Sequence, residues 1–139
     1  GARVIGDVTS VASEWGDAVR AAPSRSALVG VGEVTVRVDG PGKGGRCQEF
    51  AWRMASELAH ESRDAVFVAR SSDGRDFIRG VAGAWVSSDT WARIEERGLV
   101  WGDVAKIHNT HPALAALGQL IEGAHTGWNL CDIYVALID

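Results

Sequence analysis

The 139-residue sequence is poor in cysteine, with Cys47 and Cys131 alone. They lie far apart and show no metal-ligand spacing, so a cysteine metal site is not supported and a reducing cytoplasm is the expected setting. Long apolar runs are also missing. Charges, glycines or polar residues break each one before it reaches the length of a membrane-spanning helix, and the chain reads as soluble, with no membrane partner. No charged start leads into an apolar core and a small-residue cleavage site, so no secretory signal is expected. No block of Lys and Arg interleaves with aromatics, and 14 basic residues against 18 acidic ones leave a formal charge of −4. A nucleic-acid partner is therefore not expected. Internal repeats, low-complexity segments and linkers are absent as well, which leaves residues 1–139 as one domain. The chain opens on Gly1 rather than Met, as expected of a trimmed or excised polypeptide.

What is present suffices for one core: 46% of the residues are hydrophobic, and this length suits a single domain. Six tryptophans, at positions 15, 52, 85, 91, 101 and 128, are expected mostly in that core, with some free to cover a surface that meets another lobe or chain.

The order of patterns is regular. Arg3-Val4-Ile5 reads as a strand end, Gly6 to Ser10 as turn and N-cap, and Val11, Trp15 and Val19 as the buried stripe of a helix that stops near Pro23. Ala27 to Val31 is apolar, and Glu33 to Asp39 alternates as a half-buried strand. After a Gly-rich loop, Phe50, Met54 and Leu58 mark a second helix, joined on one stripe by Cys47, Ala51 and Ala55. Ala65 to Ala69 has the look of a strand covered on both faces. A strand near Gly83 to Val86, helices from Thr90 to Arg97 and Pro112 to Leu120, and a last strand from Tyr134 to Ile138 complete the reading. Strands separated by amphipathic helices point to a layered α/β domain on a mainly parallel or mixed sheet.

The segment with most chemical promise is Gly40-Pro41-Gly42-Lys43-Gly44-Gly45-Arg46, between a strand and a helix. Glycines there can take backbone angles closed to other residues. The first N–H groups of the helix lack internal partners, its dipole favours an anion, and Lys43 and Arg46 add positive charge, Arg46 being able to grip a carboxylate or phosphate with two parallel bonds. The loop fits neither the P-loop nor the dinucleotide pattern, and a tight turn with two solvated basic residues is an equal alternative. His108 and His111 raise a zinc site, but no third ligand shows in the sequence and a helix cap or surface pair is the plainer role. Cys47, beside Arg46 at a helix start, could be a nucleophile served by either histidine; its place on the apolar stripe argues for a buried, inert thiol.

The stretch Gly32-Glu33-Val34-Thr35-Val36-Arg37-Val38, followed by Gly42-Lys43-Gly44-Gly45-Arg46-Cys47-Gln48-Glu49, resembles the MOFRL-domain signature GGETTVTV…GxGRGGRNQE. Ser72-Asp73-Gly74 with Ala82-Gly83-Ala84 resembles the family's TDGxDGPTDAAGA stretch, and Thr126 to Ile133 its TGTNVNDL stretch. Three separated motifs keep their order from about Arg3 to the end. The MOFRL domain is the carboxy-terminal lobe of bacterial-type glycerate 2-kinases, also known as hydroxypyruvate reductases.

The resemblance implies a three-layer αβα sandwich with a mixed, mainly parallel sheet. It implies a role in ATP-dependent phosphorylation of D-glycerate, with Mg-ATP and a small hydroxy acid meeting in a cleft against an amino-terminal Rossmann-like lobe. The isolated chain is then expected to be inactive and to bind no cofactor, and a homo-oligomer is compatible with it. Arg46 and Lys43 match the two Arg positions of the family loop and become the catalytic candidates, because phosphoryl transfer needs positive charge around the migrating group. Gly44, Gly45, Glu33, Thr126, Asn129 and Asp132 become candidates for substrate or anion binding and for holding the cleft's loops. Departures cluster at the same places. Cys47 stands for Asn, Val34 for Thr and Val31 for Gly; Ile78-Arg79-Gly80 stands for Pro-Thr-Asp, Trp128 for Thr and Cys131 for Asn. Such losses of polar groups fit altered substrate contacts, or a non-catalytic anion-binding or protein-interaction module derived from the lobe.

Overall fold

A computed structural model describes residues 2–139. The chain runs β1 (Ala2–Asp7), α1 (Val8–Ala21), β2 (Ser26–Thr35), α2 (Arg46–Leu58), β3 (Ala65–Ser71) and β4 (Val81–Ser87). It continues through α3 (Thr90–Glu96), α4 (Trp101–Lys106), α5 (Thr110–Leu117), β5 (Leu120–Glu122) and β6 (Asp132–Ile138). Six strands form one mixed sheet in the order β1-β2-β6-β3-β4-β5.

The α/β class and the mixed sheet stand as expected, but the sheet is not mainly parallel. β1 and β2 pair in parallel, whereas β2–β6, β6–β3, β3–β4 and β4–β5 are antiparallel. The cause is topological. Crossovers through α1 and α2 do return β1, β2 and β3 in one direction, as helix-connected strands should. The last strand then inserts between β2 and β3 in the opposite sense, and β4 folds back along β3, so neighbours oppose each other.

The layering also differs in detail. Phe67 and Ala69 of β3, Tyr134 and Ala136 of β6, and Val86 of β4 join α1, α2 and α5 residues in one buried cluster. Residues of opposite parity, Ile5, Val29, Val31, Ile133 and Leu137, remain 40–56% exposed. The helices thus cover one face of the sheet, and the described chain forms two layers with an aliphatic face open. β3 accordingly alternates between buried residues and half-buried or exposed ones, where its apolar run suggested cover on both sides.

Local signals explain the elements. The Asp7 carboxylate caps α1, accepting from Thr9 N at 2.9 Å and Ser10 N at 3.4 Å. Across from it, Phe50 of α2 packs on Tyr134 with ring centroids 4.9 Å apart, and Trp15 stands edge-on to Phe67 at 5.5 Å. Trp52 is fully buried, Trp128 is 68% exposed, and Trp15, Trp85, Trp91 and Trp101 lie between. The strand expected to run to Asp39 ends at Thr35, because the following residues leave the sheet to line the Gly-rich loop.

Candidate functional site

The loop before α2, the β3–β4 connection and the β5–β6 connection meet at one end of the sheet. Gly42 N donates to Ile107 O at 2.8 Å, Lys43 N to Asn109 Oδ1 at 3.1 Å, and His111 N to Lys43 O at 2.8 Å. The glycines serve close approach here: a Cβ on Gly42 would strike Ile107 O, one on Gly44 the Thr110 hydroxyl, and one on Gly45 the Asp76 carboxyl. Positive φ is not their reason, since none of these three adopts it, and that part of the sequence expectation is corrected.

The N-terminus of α2 is already filled. Asp76 accepts from Cys47 N at 3.0 Å and Gln48 N at 2.9 Å, and the Gln48 side chain donates to the same carboxylate at 2.9 Å. An internal carboxylate thus takes the place where the loop suggested an external anion. Burial pushes the Asp76 carboxyl above its ordinary range despite these donors.

Arg46 is held just as firmly. Its Nε and Nη2 donate to the two Asp132 oxygens at 2.5 and 3.0 Å, and Nη1 lies 3.2 Å from the exposed Glu33 carboxylate. Asp132 is fully buried and also accepts from Tyr134 Oη at 3.2 Å. The Asp132 bonds raise the Arg46 pKa, and burial raises that of Tyr134. Two guanidinium nitrogens are therefore fixed, while Nη1 is paired to an exposed carboxylate, a weak interaction.

A cavity of about 460 Å³ opens on this arrangement, walled by Arg46, Glu33, Val36, Val38, Phe77 and His108. Gly44 and Gly45 also line it. His108 Nε2 sits 2.9 Å from Asp39 and its Nδ1 3.3 Å from Glu49, a buried residue that accepts from Arg53 at 2.8 Å. Phe77 is 87% exposed with φ of 63°, and Ile78 N donates to Asp76 O at 2.7 Å, closing a γ-turn around it.

The sequence-derived candidates separate into three groups. Arg46, Glu33, Gly44 and Gly45 come together at the cavity. Asp132 supports Arg46 from behind, and Thr126 joins two loops, with its hydroxyl donating to Ser72 O at 2.7 Å and its N–H to Asp73 O at 3.1 Å. Lys43 and Asn129 are exposed and are not among the cavity's lining residues. Asp76, Phe77 and Tyr134 were not assigned to the site from sequence, and His108 was raised only as a zinc ligand or a base for Cys47; Asp76 carried a signal in its place in the acidic loop pattern. Cys47 is fully buried, and burial raises its thiol pKa well above the usual value, which opposes a nucleophilic role. His111 bonds Gln48 at 2.9 Å, and among the described residues no group of three or more His, Cys, Asp or Glu could hold a metal.

A six-stranded α/β lobe with its loops gathered around a braced arginine is the class of structure defined here. The MOFRL family profile matches residues 26–132, and the chain belongs to that family. It is 35% identical over 112 residues to a glycerate 2-kinase of Pyrococcus horikoshii, covering 80% of this chain and 25% of that protein. It is 33% identical over 128 residues to a glycerate kinase of Rattus norvegicus, covering 86% of this chain and 24% of that one. The crystal structure of a Thermotoga maritima glycerate kinase superposes with a TM-score of 0.92 at 24% identity, over 99% of this chain and 35% of that chain, a likeness of fold. The chain thus spans about a quarter of the length of the curated relatives it matches.

Proposed function

We propose that this chain is the carboxy-terminal lobe of a glycerate 2-kinase and acts in ATP-dependent phosphorylation of D-glycerate together with an amino-terminal lobe, in a cytoplasmic setting. The observation that carries the reading is the posture of Arg46. A guanidinium locked on a buried carboxylate keeps a fixed position, and its outward nitrogen pairs with an exposed Glu33 that an anionic ligand can displace. Fixed positive charge aimed at a migrating phosphoryl group is what such a transfer requires. Lys43, exposed between the lining residues Gly42 and Gly44, adds charge nearby without a fixed partner for it. Magnesium reaches such sites on the nucleotide's phosphates and one or two carboxylates rather than in a full protein cage, so the lack of a converging metal set among the described residues is compatible with that chemistry.

Cleft chemistry needs both walls, so the isolated chain is inactive in this reading. The test is a chimera in which this chain replaces the matching part of the Pyrococcus horikoshii enzyme, assayed for ADP release with D-glycerate. Turnover is expected in the chimera and not in the chain alone, and Arg46→Ala should lower kcat by about 10²-fold or more. A chimera that folds but is silent removes the kinase reading. It would leave the second one, a non-catalytic anion-binding or interaction module, whose lack of catalysis would follow from Arg46 staying neutralised by Asp132 and Glu33.

A further inference from the structure

The braced Arg46 is not where this chain's uncompensated positive charge gathers. Arg75 and Arg79 are exposed on the β3–β4 loop, and neither guanidinium has an ion pair or hydrogen bond among the described residues. Together with His125 of the β5–β6 loop they line a cavity of about 500 Å³, whose remaining walls are Gly80, Gly123 and Ala124. No carboxylate lines it among the described residues.

The cavity is built, not a chance meeting of long side chains. Gly123 N donates to Gly80 O at 3.0 Å, and Thr126 N to Asp73 O at 3.1 Å, so the two loops are tied on both sides. A Cβ on Gly74 would strike Ala124 O, and one on Gly123 would crowd Gly74 O and Ala82; the backbones are as close as glycine permits. The neighbouring acids are committed or turned to solvent. The Asp73 carboxylate accepts from Arg75 N and Ser71 Oγ, each at 2.8 Å, and Glu122 is exposed on the edge strand β5. Arg79 and Gly80 also stand where the family pattern has Thr and Asp, so one position gained a positive charge and the next lost a negative one.

Two guanidinium forks and an imidazole around one glycine-walled space, with no carboxylate in its lining and only the hydrogen-bonded Asp73 near His125, favour a multiply charged oxyanion that can approach the backbone closely. The space exceeds a single phosphate, whereas the N-terminus of α2 is taken by Asp76. We propose that the cavity between the β3–β4 and β5–β6 loops binds a polyphosphate chain through Arg75, Arg79 and His125. Naming a nucleoside triphosphate as its bearer rests on the kinase reading; the binding itself does not.

Calorimetric titration of the chain at low ionic strength with inorganic triphosphate, ATP and inorganic phosphate tests this. Triphosphate and ATP should bind with similar affinity, and single phosphate at least tenfold more weakly. Arg75→Ala combined with Arg79→Ala should weaken both triphosphate and ATP at least tenfold, as should Arg79→Thr with Gly80→Asp, while Arg97→Ala, at an exposed position away from both cavities, changes them less than threefold. These positions are exposed, and a cooperative melting transition will show that the variants fold, with a lower midpoint expected for Gly80→Asp because Gly80 has φ of 84°. Absence of triphosphate binding, binding of ATP without triphosphate, or an equal loss through Arg97→Ala would overturn the proposal. Triphosphate binding in a silent chimera keeps this site and removes the kinase; an active chimera whose isolated lobe ignores triphosphate does the reverse.

Discussion

Arg46 and Asp132 stand 86 residues apart in sequence and share two hydrogen bonds, at 2.5 and 3.0 Å. The pair is asymmetric, because Asp132 is fully buried while the Arg46 side chain is 34% exposed. Removing the arginine leaves an uncompensated buried carboxylate; removing the carboxylate leaves an arginine that can turn to Glu33 and water. Arg46→Met should therefore cost about 3 kcal/mol, and Asp132→Asn about 1–2 kcal/mol. Urea unfolding of the two variants decides it: equal costs, or the reverse order, would show that the burial difference does not govern this pair.

Asp76 replaces a side-chain cap that Gly45 cannot give. Asp76→Ala strands the N–H groups of Cys47 and Gln48 and the Gln48 amide, and should cost about 2–4 kcal/mol. Asp76→Asn keeps an acceptor and should cost less. The pH dependence has a definite sign. Burial raises the folded-state pKa of this carboxyl above its ordinary value, so its contribution to stability is fully present at lower pH and is lost as pH rises through the raised value. The stability advantage of the native chain over Asp76→Asn should shrink across that interval, and denaturant titrations at successive pH values measure it.

The two cysteines should behave oppositely. Cys131 is exposed and Cys47 is fully buried with its thiol pKa pushed up, so iodoacetamide at mildly alkaline pH should modify Cys131 in the folded chain and Cys47 only after unfolding. Rapid alkylation of Cys47 in the native state would restore the nucleophile reading. The same shift makes the unfolded thiol ionise first, so Cys47 withdraws stability as pH rises above the ordinary thiol value.

These contrasts show what the sequence could carry. Periodicity located α1 and α2 because Val11, Val19, Phe50 and Leu58 face one core, and the motif order brought Arg46 and Asp132 into one family frame before any contact was known. It could not show that β6 slots between β2 and β3, since strand order is settled by long-range pairing such as Val31 with Ile133 rather than by local pattern. It missed α4, six residues whose Trp101 is fixed by reciprocal indole-to-carbonyl bonds with Trp52 at 2.8 and 3.2 Å. At the site, the expected anion position failed because Asp76, from another loop, reaches the helix start first.

Phe77 offers the last test, because its conformation and its exposure conflict. A bulky residue with φ of 63° at the centre of a γ-turn is strained, typically by about 1–3 kcal/mol, and at 87% exposure the ring recovers little by burial. Glycine occupies this position in the family pattern, as a positive φ requires. Phe77→Gly should thus raise stability by roughly 1 kcal/mol, after about 0.5–1 kcal/mol is returned through glycine's greater freedom in the unfolded chain, whereas Phe77→Ala keeps the strain and should change little. Thermal melting of both variants gives the comparison. A glycine variant more stable than the native chain would mean that the ring on the Arg46 cavity wall is held there against the fold's own preference, as residues at ligand sites are; no difference between Gly and Ala would mean that the turn is relaxed and the ring carries no such information.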